Sequence, residues 1–232
     1  MKKYFNFLVL DKLQVFKRQI KNYKILSVDY GQLNTMKKWN CENREGNPIP
    51  WYTYPAIEYL NHIDFSDFKI FEYGSGNSSL YWSGKSKVLT SVEDNKEWYD
   101  KIKKNGDAQK KIFNYIYAPD KNVYINTIDE YDPDLVIIDG KWRSDCLNKT
   151  ILKFNKSRNG KVLIFDNFDW YPKTIETLKK TLNWIQVDFH GFGPINNYTW
   201  TTSIFINPSV SGLKYKSNLM SIAGLNNNGD YE

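Results

Sequence analysis

Four carboxylate side chains stand at the ends of short apolar runs in this sequence. They are Glu72, Glu93, Asp139 and Asp166. A carboxylate can accept hydrogen bonds from a ribose diol or take a proton from a hydroxyl group. If the apolar runs form a parallel sheet, these acids lie at the edge where ligands bind, beyond the carboxyl ends of the strands. The alternative is that each acid only caps the helix that follows it.

A glycine turn follows the first apolar run. Lys69–Tyr73 leads directly into Gly74-Ser75-Gly76, and Glu93 ends the next run about twenty residues later. Residues without a Cβ atom let the backbone come close to a ligand. The arrangement is typical of a nucleoside pocket. Serines at positions 78 and 79 replace the third glycine of the dinucleotide fingerprint, which favours a nucleoside ligand without phosphates.

These segments resemble class I S-adenosylmethionine-dependent methyltransferases, and the resemblance covers roughly residues 50–206. In that family the glycine turn approaches the methionine part of the cofactor, and the acid of the second strand binds the ribose. The acid before the turn faces the amino acid group of the cofactor. The resemblance therefore implies a set of cofactor-binding residues, namely Glu72, Gly74, Ser75, Gly76, Glu93, Asp94 and Asp139.

A narrower resemblance is to metal-dependent catechol-type O-methyltransferases. That family holds a magnesium ion at positions taken here by Asp139, Asp166 and Asn167. Such oxygen ligands suit a hard cation, which would draw a proton off an acceptor hydroxyl group. Without a metal, Asp166 and Asn167 could orient that hydroxyl group themselves. Lys141 and Arg143 could then bind an anionic group of the substrate.

Two aromatic segments supply candidate substrate contacts. Residues 48–60 and 191–203 are rich in Trp, Tyr and Asn, and they resemble a family of bacterial methyltransferase-like proteins of undefined substrate. Such side chains stack on a ring and form hydrogen bonds with its hydroxyl groups, although they could instead seal the sheet edge. The predicted substrate-binding residues are Trp51, Tyr54, Arg143, Asn167, Asn196 and Tyr198.

Methyl transfer to a hydroxyl group needs a side chain that accepts one proton. Four side chains near predicted strand ends are candidates for this role: Asp139, Lys141, Asp166 and His190. The imidazole of His190 can change charge near neutral pH. The alternative for this lone histidine is a structural hydrogen bond.

The order of the apolar runs predicts the fold. Strands are predicted at Lys69–Tyr73, Lys87–Glu93, Ile112–Ala118, Leu135–Asp139, Lys161–Asp166, Trp184–Phe189 and Thr201–Ile206. Helical patterns begin at Asn77 and cover Lys96–Lys104, Asp145–Phe154 and Lys173–Leu182. Apolar strands that alternate with helices indicate a parallel sheet with helices on both faces. The last connection lacks a helix and permits an antiparallel hairpin. The predicted α/β fold is a Rossmann-like class I methyltransferase sheet, mostly parallel with a C-terminal antiparallel hairpin.

Three parts are predicted along the chain. Residues 1–50 form an N-terminal helix and an irregular extension, residues 51–210 form the S-adenosylmethionine-binding methyltransferase domain, and residues 211–232 form a loose polar tail. The N-terminal helix is predicted because one face gathers Phe5, Leu8, Leu13, Phe16 and Ile20. We expect this helix to pack on the domain, with a membrane-surface helix and a dimer helix as alternatives.

Composition limits the partners and the compartment. The net charge is +6, but the lysines are dispersed, which disfavours a nucleic-acid partner. The two cysteines, Cys41 and Cys146, lie far apart and suit a reducing cytoplasm. The apolar run Phe7–Leu10 is too short to span a bilayer. We therefore expect a cytoplasmic protein without a transmembrane segment.

Together with these residues, the resemblance implies an S-adenosylmethionine-dependent methyltransferase that acts at an oxygen of a small polar acceptor. A sugar or glycan intermediate is the favoured acceptor, and magnesium is the second candidate cofactor. One alternative is an NAD(P)-dependent oxidoreductase. The absent third glycine and the terminal hairpin both disfavour it. The other is a protein that binds a nucleoside or a partner without turnover.

Overall fold

A seven-stranded sheet forms the centre of the structure, a computed structural model that describes residues 2–108, 113–157, 160–209, 213–216 and 220–224. The side chains of residues 2–11 and of residue 175 lie outside this description. The strands of the main sheet are β2 (Lys69–Tyr73), β3 (Val88–Glu93), β4 (Asn114–Tyr117), β5 (Leu135–Ile138), β6 (Val162–Asp166), β7 (Ile185–Gly191) and β8 (Trp200–Ile206). A separate two-stranded ladder joins β1 (Ile63–Asp64) to β9 (Lys214–Tyr215).

The strand order in the main sheet is β4-β3-β2-β5-β6-β8-β7. The pairs among β2 to β6 are parallel, whereas β8 runs antiparallel to both β6 and β7. This topology confirms the predicted α/β fold with its C-terminal antiparallel hairpin. The chain moves outward from β2 to β4 and then returns to β5, so the order reverses between β2 and β5. Open α/β sheets bind ligands at such a reversal point.

Eight helices are present in the described parts of the chain. They are α1 (Lys2–Lys24), α2 (Gln32–Lys38), α3 (Tyr54–Asn61), α4 (Asn77–Ser83), α5 (Lys96–Ala108), α6 (Lys121–Asn126), α7 (Arg143–Ser157) and α8 (Pro172–Thr181). One π-helical turn covers Ile25–Asp29, and 3-10 turns cover Thr127–Glu130 and Phe168–Trp170. None of the helices in these parts is long and apolar enough to cross a membrane.

Alternate residues of the central strands face two separate hydrophobic cores. In β5, Leu135 and Ile137 pack with residues of α3 and α4, whereas Val136 and Ile138 pack with residues of α7 and α8. Successive side chains of a strand point to opposite faces of the sheet. Because both faces are covered, all four residues of β5 are buried. The predicted layer of helices on each face is therefore present.

The segment before residue 51 is more ordered than the sequence suggests. Helix α2 lies in the predicted irregular extension and docks on the β7–β8 loop. Gln32 Nε2 donates to the carbonyl oxygens of Gly193 and Asn196, at 2.9 and 3.1 Å. The backbone N–H of Ile195 donates to Thr35 Oγ1 at 2.9 Å. These contacts join positions about 160 residues apart, and no local pattern in the sequence indicates them.

The C-terminal region is only partly described. Lys214 and Tyr215 fall within the predicted loose tail, yet they pair in register with Asp64 and Ile63. Residues 210–212, 217–219 and 225–232 lie outside the described residues, as do residues 109–112 and the start of the predicted strand Ile112–Ala118.

Candidate active site

A cavity of about 390 Å³ opens beyond the carboxyl ends of β2, β5 and β6. Its walls come from the segment before α3, the turn after β2, the ends of β5 and β6, and the β7–β8 loop. Nine of the predicted site residues line it, namely Trp51, Ser75, Gly76, Asp139, Arg143, Asp166, Asn167, Asn196 and Tyr198. The fold thus gathers residues from several distant parts of the chain around one space.

Arg143, the first residue of α7, ties the ends of β5 and β6 together. Its Nε donates to the Gly140 carbonyl oxygen at 2.9 Å. Its Nη1 donates to the Asp166 carbonyl oxygen at 2.5 Å and to Asn167 Oδ1 at 2.8 Å. Its Nη2 donates to the carbonyl oxygen and Oδ1 of Asp139, at 2.8 and 2.9 Å. A guanidinium has five N–H donors, so none is left for an anionic group of a substrate.

The residues predicted to hold magnesium do not fit a divalent cation. Oδ1 of Asp139 and Oδ1 of Asn167 both accept hydrogen bonds from Arg143. A cation bound to these oxygens would meet the positive guanidinium at close range. Within the described ranges, no group of three or more His, Cys, Asp and Glu residues could hold a metal ion. The donor set therefore does not support the magnesium prediction.

Asp166 is a buried acid that faces two hydrogen-bond donors. Trp200 Nε1 donates to its Oδ1 at 3.0 Å, and Thr202 Oγ1 donates to the same oxygen at 2.5 Å. Burial raises the pKa of Asp166, and the nearby charge of Asp139 raises it further, against the opposing effect of Arg143. A carboxylate with a raised pKa is a stronger base once it is ionised. Asp166 therefore has the chemistry of a general base near neutral pH.

Glu72 supports the glycine turn from the interior of the domain and does not line the cavity. It is fully buried, and its Oε2 accepts hydrogen bonds from Ser79 Oγ at 2.5 Å and Ser91 Oγ at 2.6 Å. Ser79 Oγ in turn accepts a hydrogen bond from the backbone N–H of Gly76 at 3.2 Å. Burial raises the pKa of Glu72 to about 7. Glu72 thus fixes the turn through Ser79 and is not placed to contact a ligand in the cavity.

Glu93 lies beside the turn at the end of β3. Its Oε1 accepts hydrogen bonds from the backbone N–H groups of Asp94 and Asn95, at 3.1 and 2.9 Å. Its Oε2 accepts a hydrogen bond from Ser75 Oγ at 2.7 Å. Burial raises the pKa of Glu93, and these hydrogen bonds oppose the rise. The carboxylate is oriented by the backbone, and one of its oxygens is satisfied by a hydroxyl group that a ligand hydroxyl could replace.

Aromatic rings and amide side chains form part of the cavity wall. Trp51, Trp170 and Tyr198 line it together with Asn167 and Asn196. The rings of Trp170 and Tyr198 lie 6.4 Å apart, centroid to centroid. Both side chains are exposed, which leaves ring faces available to a ligand. Such a wall can stack on a ring and offer hydrogen bonds to its polar groups.

Other predicted site residues lie away from the cavity. Lys141 Nζ forms an ion pair with Asp94 Oδ2 at 3.0 Å, and both side chains lie outside the cavity lining. His190 is exposed on β7, and its Nδ1 shares a hydrogen bond of 2.7 Å with Oγ1 of the buried Thr201 on β8. Tyr54 is buried against Tyr30, at 4.6 Å between ring centroids. The structure therefore does not bring Lys141, His190 or Tyr54 to the site.

Several residues of the cavity have no counterpart in the sequence predictions. They are Trp39, Asn40, Cys41, Asn77, Ser78, Trp98, Trp170, Ile195 and Trp200. Trp170 could have been found, because it follows the predicted acid Asp166 by four positions. Trp98 could not, since its place depends on a hydrogen bond of 2.7 Å from its Nε1 to the carbonyl oxygen of Ser75.

No family model and no curated protein matches this sequence. Solved structures of methyltransferases are similar to it in fold. A methyltransferase-like protein from Silicibacter pomeroyi is 18% identical, with a TM-score of 0.45 over 68% of this chain and 87% of that chain. An S-adenosylhomocysteine-bound methyltransferase from Podospora anserina is 13% identical, with a TM-score of 0.46 over 61% and 72%.

The similar structures also include an enzyme that acts on RNA. A tRNA methyltransferase from Pyrococcus abyssi, in complex with S-adenosyl-L-homocysteine, is 15% identical, with a TM-score of 0.47. The match covers 66% of this chain and 37% of that chain. At such identities the likeness concerns the fold.

Proposed function

We propose that this protein is an S-adenosylmethionine-dependent methyltransferase that methylates a hydroxyl group of a small polar acceptor, a sugar or a related metabolite. One observation carries the proposal. The turn after β2, with Ser75 and Gly76, borders the same cavity as the buried acid Asp166 and the ring of Tyr198. The glycine turn, a buried acid and an aromatic wall thus lie together near the reversal point of the sheet, which supports the proposal.

The cofactor half of the proposal depends on Glu93. Its Oε2 now accepts a hydrogen bond from Ser75 Oγ, a donor of the same chemical type as a ribose hydroxyl group. A ribose diol would take over this bond while the backbone of Asp94 and Asn95 keeps the carboxylate in place. The methionine part would then lie towards Gly76 and the cavity. S-adenosylmethionine supplies the methyl group, which its positive sulfur already activates.

The chemical step asks little of the protein beyond position and proton removal. The acceptor oxygen attacks the methyl carbon in line with the carbon–sulfur bond, which breaks with its electron pair going to sulfur. The products are the methyl ether and S-adenosylhomocysteine, and the hydroxyl proton passes to the carboxylate of Asp166. Among the predicted bases, Asp166 and Asp139 line the cavity, and Asp139 is engaged by Arg143. Asp166 is therefore the base in this proposal.

The aromatic rings and amide side chains of the cavity wall support this acceptor class. Rings of Trp51, Trp170 and Tyr198 offer faces to the C–H groups of a sugar ring, and Asn167 and Asn196 offer amides to its hydroxyl groups. Arg143 is the cation of the lining, and its donors are all bound to protein oxygens. A neutral polyhydroxylated acceptor therefore suits the cavity better than a polyanion.

Methyl transfer from labelled S-adenosylmethionine to a panel of acceptors tests this function. The panel contains neutral sugars, with nucleotide-linked sugars and a tRNA mixture as the anionic competing classes. We expect label on a sugar hydroxyl group, and we expect Tyr198→Ala to raise KM for that sugar without weakening cofactor binding. Label on the RNA alone would overturn the acceptor class and leave the methyltransferase assignment standing.

A further inference from the structure

The first helix carries the whole net charge of the chain. Helix α1, Lys2–Lys24, contains seven basic residues and one acidic residue. The full chain has 32 basic and 26 acidic residues, with a net charge of +6. The 25 basic and 25 acidic residues outside α1 therefore cancel. The dispersed positive charge expected from the sequence is thus an excess confined to one element.

Helix α1 does not pack on the domain along its described side chains. Every residue from Lys12 to Lys24 is exposed. Apolar side chains share this exposure: Leu13 is 51%, Phe16 63%, Ile20 51% and Tyr23 68% accessible. The expected packing of this helix on the domain is therefore wrong for these residues. An exposed line of large apolar side chains indicates an interaction surface.

The apolar and basic residues of α1 are arranged in parallel lines. Leu13, Phe16, Ile20 and Tyr23 are three or four positions apart, so they share one face of the helix. Lys12 lies at one border of this face, and Lys17 and Lys24 lie at the other. This is the pattern of a helix that lies in a membrane interface, with its apolar face down and lysines reaching the headgroups.

We propose that α1 lies on the surface of a bilayer that contains anionic phospholipids. The apolar face enters the boundary between headgroups and acyl chains, and the lysines on its borders contact lipid phosphates. The positive charge of α1 complements such a surface, and the rest of the chain, with no net charge, does not oppose this attraction. The cavity would then lie close to the membrane, because α1 joins the domain through the turn Ile25–Asp29 directly before α2.

A second copy of the chain fits this face less well. Two such helices side by side would place Lys12 and Lys17 of one copy near those of the other, and like charges would face each other along the seam. Nucleic acid would match the charge and leave the apolar face without a role, since phosphate contacts need no such face. An anionic membrane uses both properties at once.

Flotation of the full-length protein with lipid vesicles tests this inference. Vesicles of phosphatidylcholine alone are compared with vesicles of phosphatidylcholine and phosphatidylglycerol in equal parts. We expect flotation with the anionic vesicles only, weakened by added salt. Lys17→Gln with Lys24→Gln should lower the affinity about twenty-five-fold, since each basic residue contributes about fivefold at an anionic surface.

Two matched variants separate membrane insertion from charge alone. Ile20 lies on the apolar face and Val15 lies off it, yet both are β-branched and both are 51% exposed. Ile20→Asn should lower the affinity about tenfold, whereas Val15→Asn should leave it nearly unchanged. Equal flotation of wild type and Ile20→Asn would overturn the proposal in favour of a charge-only partner. The proposal would be overturned in favour of self-association if the wild type did not float with vesicles and formed a dimer in light scattering. Ile20→Asn would then be a monomer. Cofactor binding measured on the same variants keeps this test separate from the enzymatic function.

Discussion

Gly74 and Gly140 pack backbone against backbone where β2 and β5 end. A methyl group on Gly74 would lie 2.7 Å from the Cα of Gly140, and Gly74 has a φ of +98°. Gly76, two residues later, has extended backbone and room, because a methyl group there would lie 3.7 Å from the nearest atom, on Trp98. The sequence assigned both glycines to the ligand, and the structure gives them different tasks. Gly74 holds two strand ends together, and Gly76 borders the cavity.

This difference predicts opposite results for two alanine variants. Gly74→Ala should lower the free energy of unfolding by about 2–4 kcal/mol, from left-handed strain and a backbone clash. Gly76→Ala should unfold like wild type and weaken cofactor binding only. Urea titration of both variants measures the effect. Equal midpoints for the two would show that the contact between Gly74 and Gly140 does not limit stability.

A second prediction concerns the proton acceptor. Asp166→Asn should reduce kcat by about 10²–10⁴ and leave the affinity for S-adenosylhomocysteine unchanged, because the acid acts on the acceptor alone. His190→Ala and Lys141→Ala should stay within a few fold of wild type, since both residues lie outside the cavity. The rate of the wild type should rise with pH, because burial raises the pKa of Asp166 and only its ionised form accepts a proton. A large loss in His190→Ala with none in Asp166→Asn would reverse the assignment.

A third prediction follows from the hydrogen bonds of Arg143. Because its guanidinium occupies Oδ1 of Asp139 and Oδ1 of Asn167, methyl transfer should not change when a chelator is added. Arg143→Lys should destabilise the protein by about 2–4 kcal/mol, since a lysine cannot satisfy five acceptors and leaves buried oxygens unpaired. Loss of activity in chelator that magnesium restores would contradict this prediction and support a magnesium site.

Much of the fold could be predicted from the sequence, and less of the site. Strands such as Lys69–Tyr73 are continuous apolar runs, so local pattern identifies them. The contact of Gly74 with Gly140 and the docking of Gln32 on the β7–β8 loop join distant positions and leave no local pattern. Residue type and position identified the acids at the strand ends as candidates. They did not show that Glu72 faces Ser79 and Ser91 inside the domain. Only packing decides which side of a strand end reaches the ligand.

The burial of Glu72 predicts a dependence of stability on pH. Its pKa is raised from 4.5 to about 7, so the folded state holds a proton that the unfolded state releases at lower pH. The resulting stability is fully present below the unfolded pKa and is lost as the pH rises through about 7. Glu72→Gln should remove about 3 kcal/mol of this loss. Urea midpoints measured below and above this range give the comparison. Parallel pH profiles for wild type and Glu72→Gln would contradict the buried, protonated carboxyl group.

Calorimetric titration with S-adenosylhomocysteine, with NADH as the competing ligand, tests most directly whether the protein binds S-adenosylmethionine. We expect micromolar binding of S-adenosylhomocysteine, no binding of NADH, and loss of affinity in a folded Glu93→Gln variant. That loss is expected because an amide at position 93 is a weaker acceptor for a ribose diol than a carboxylate. Binding of NADH instead, or an unchanged affinity for S-adenosylhomocysteine in Glu93→Gln, would contradict this expectation.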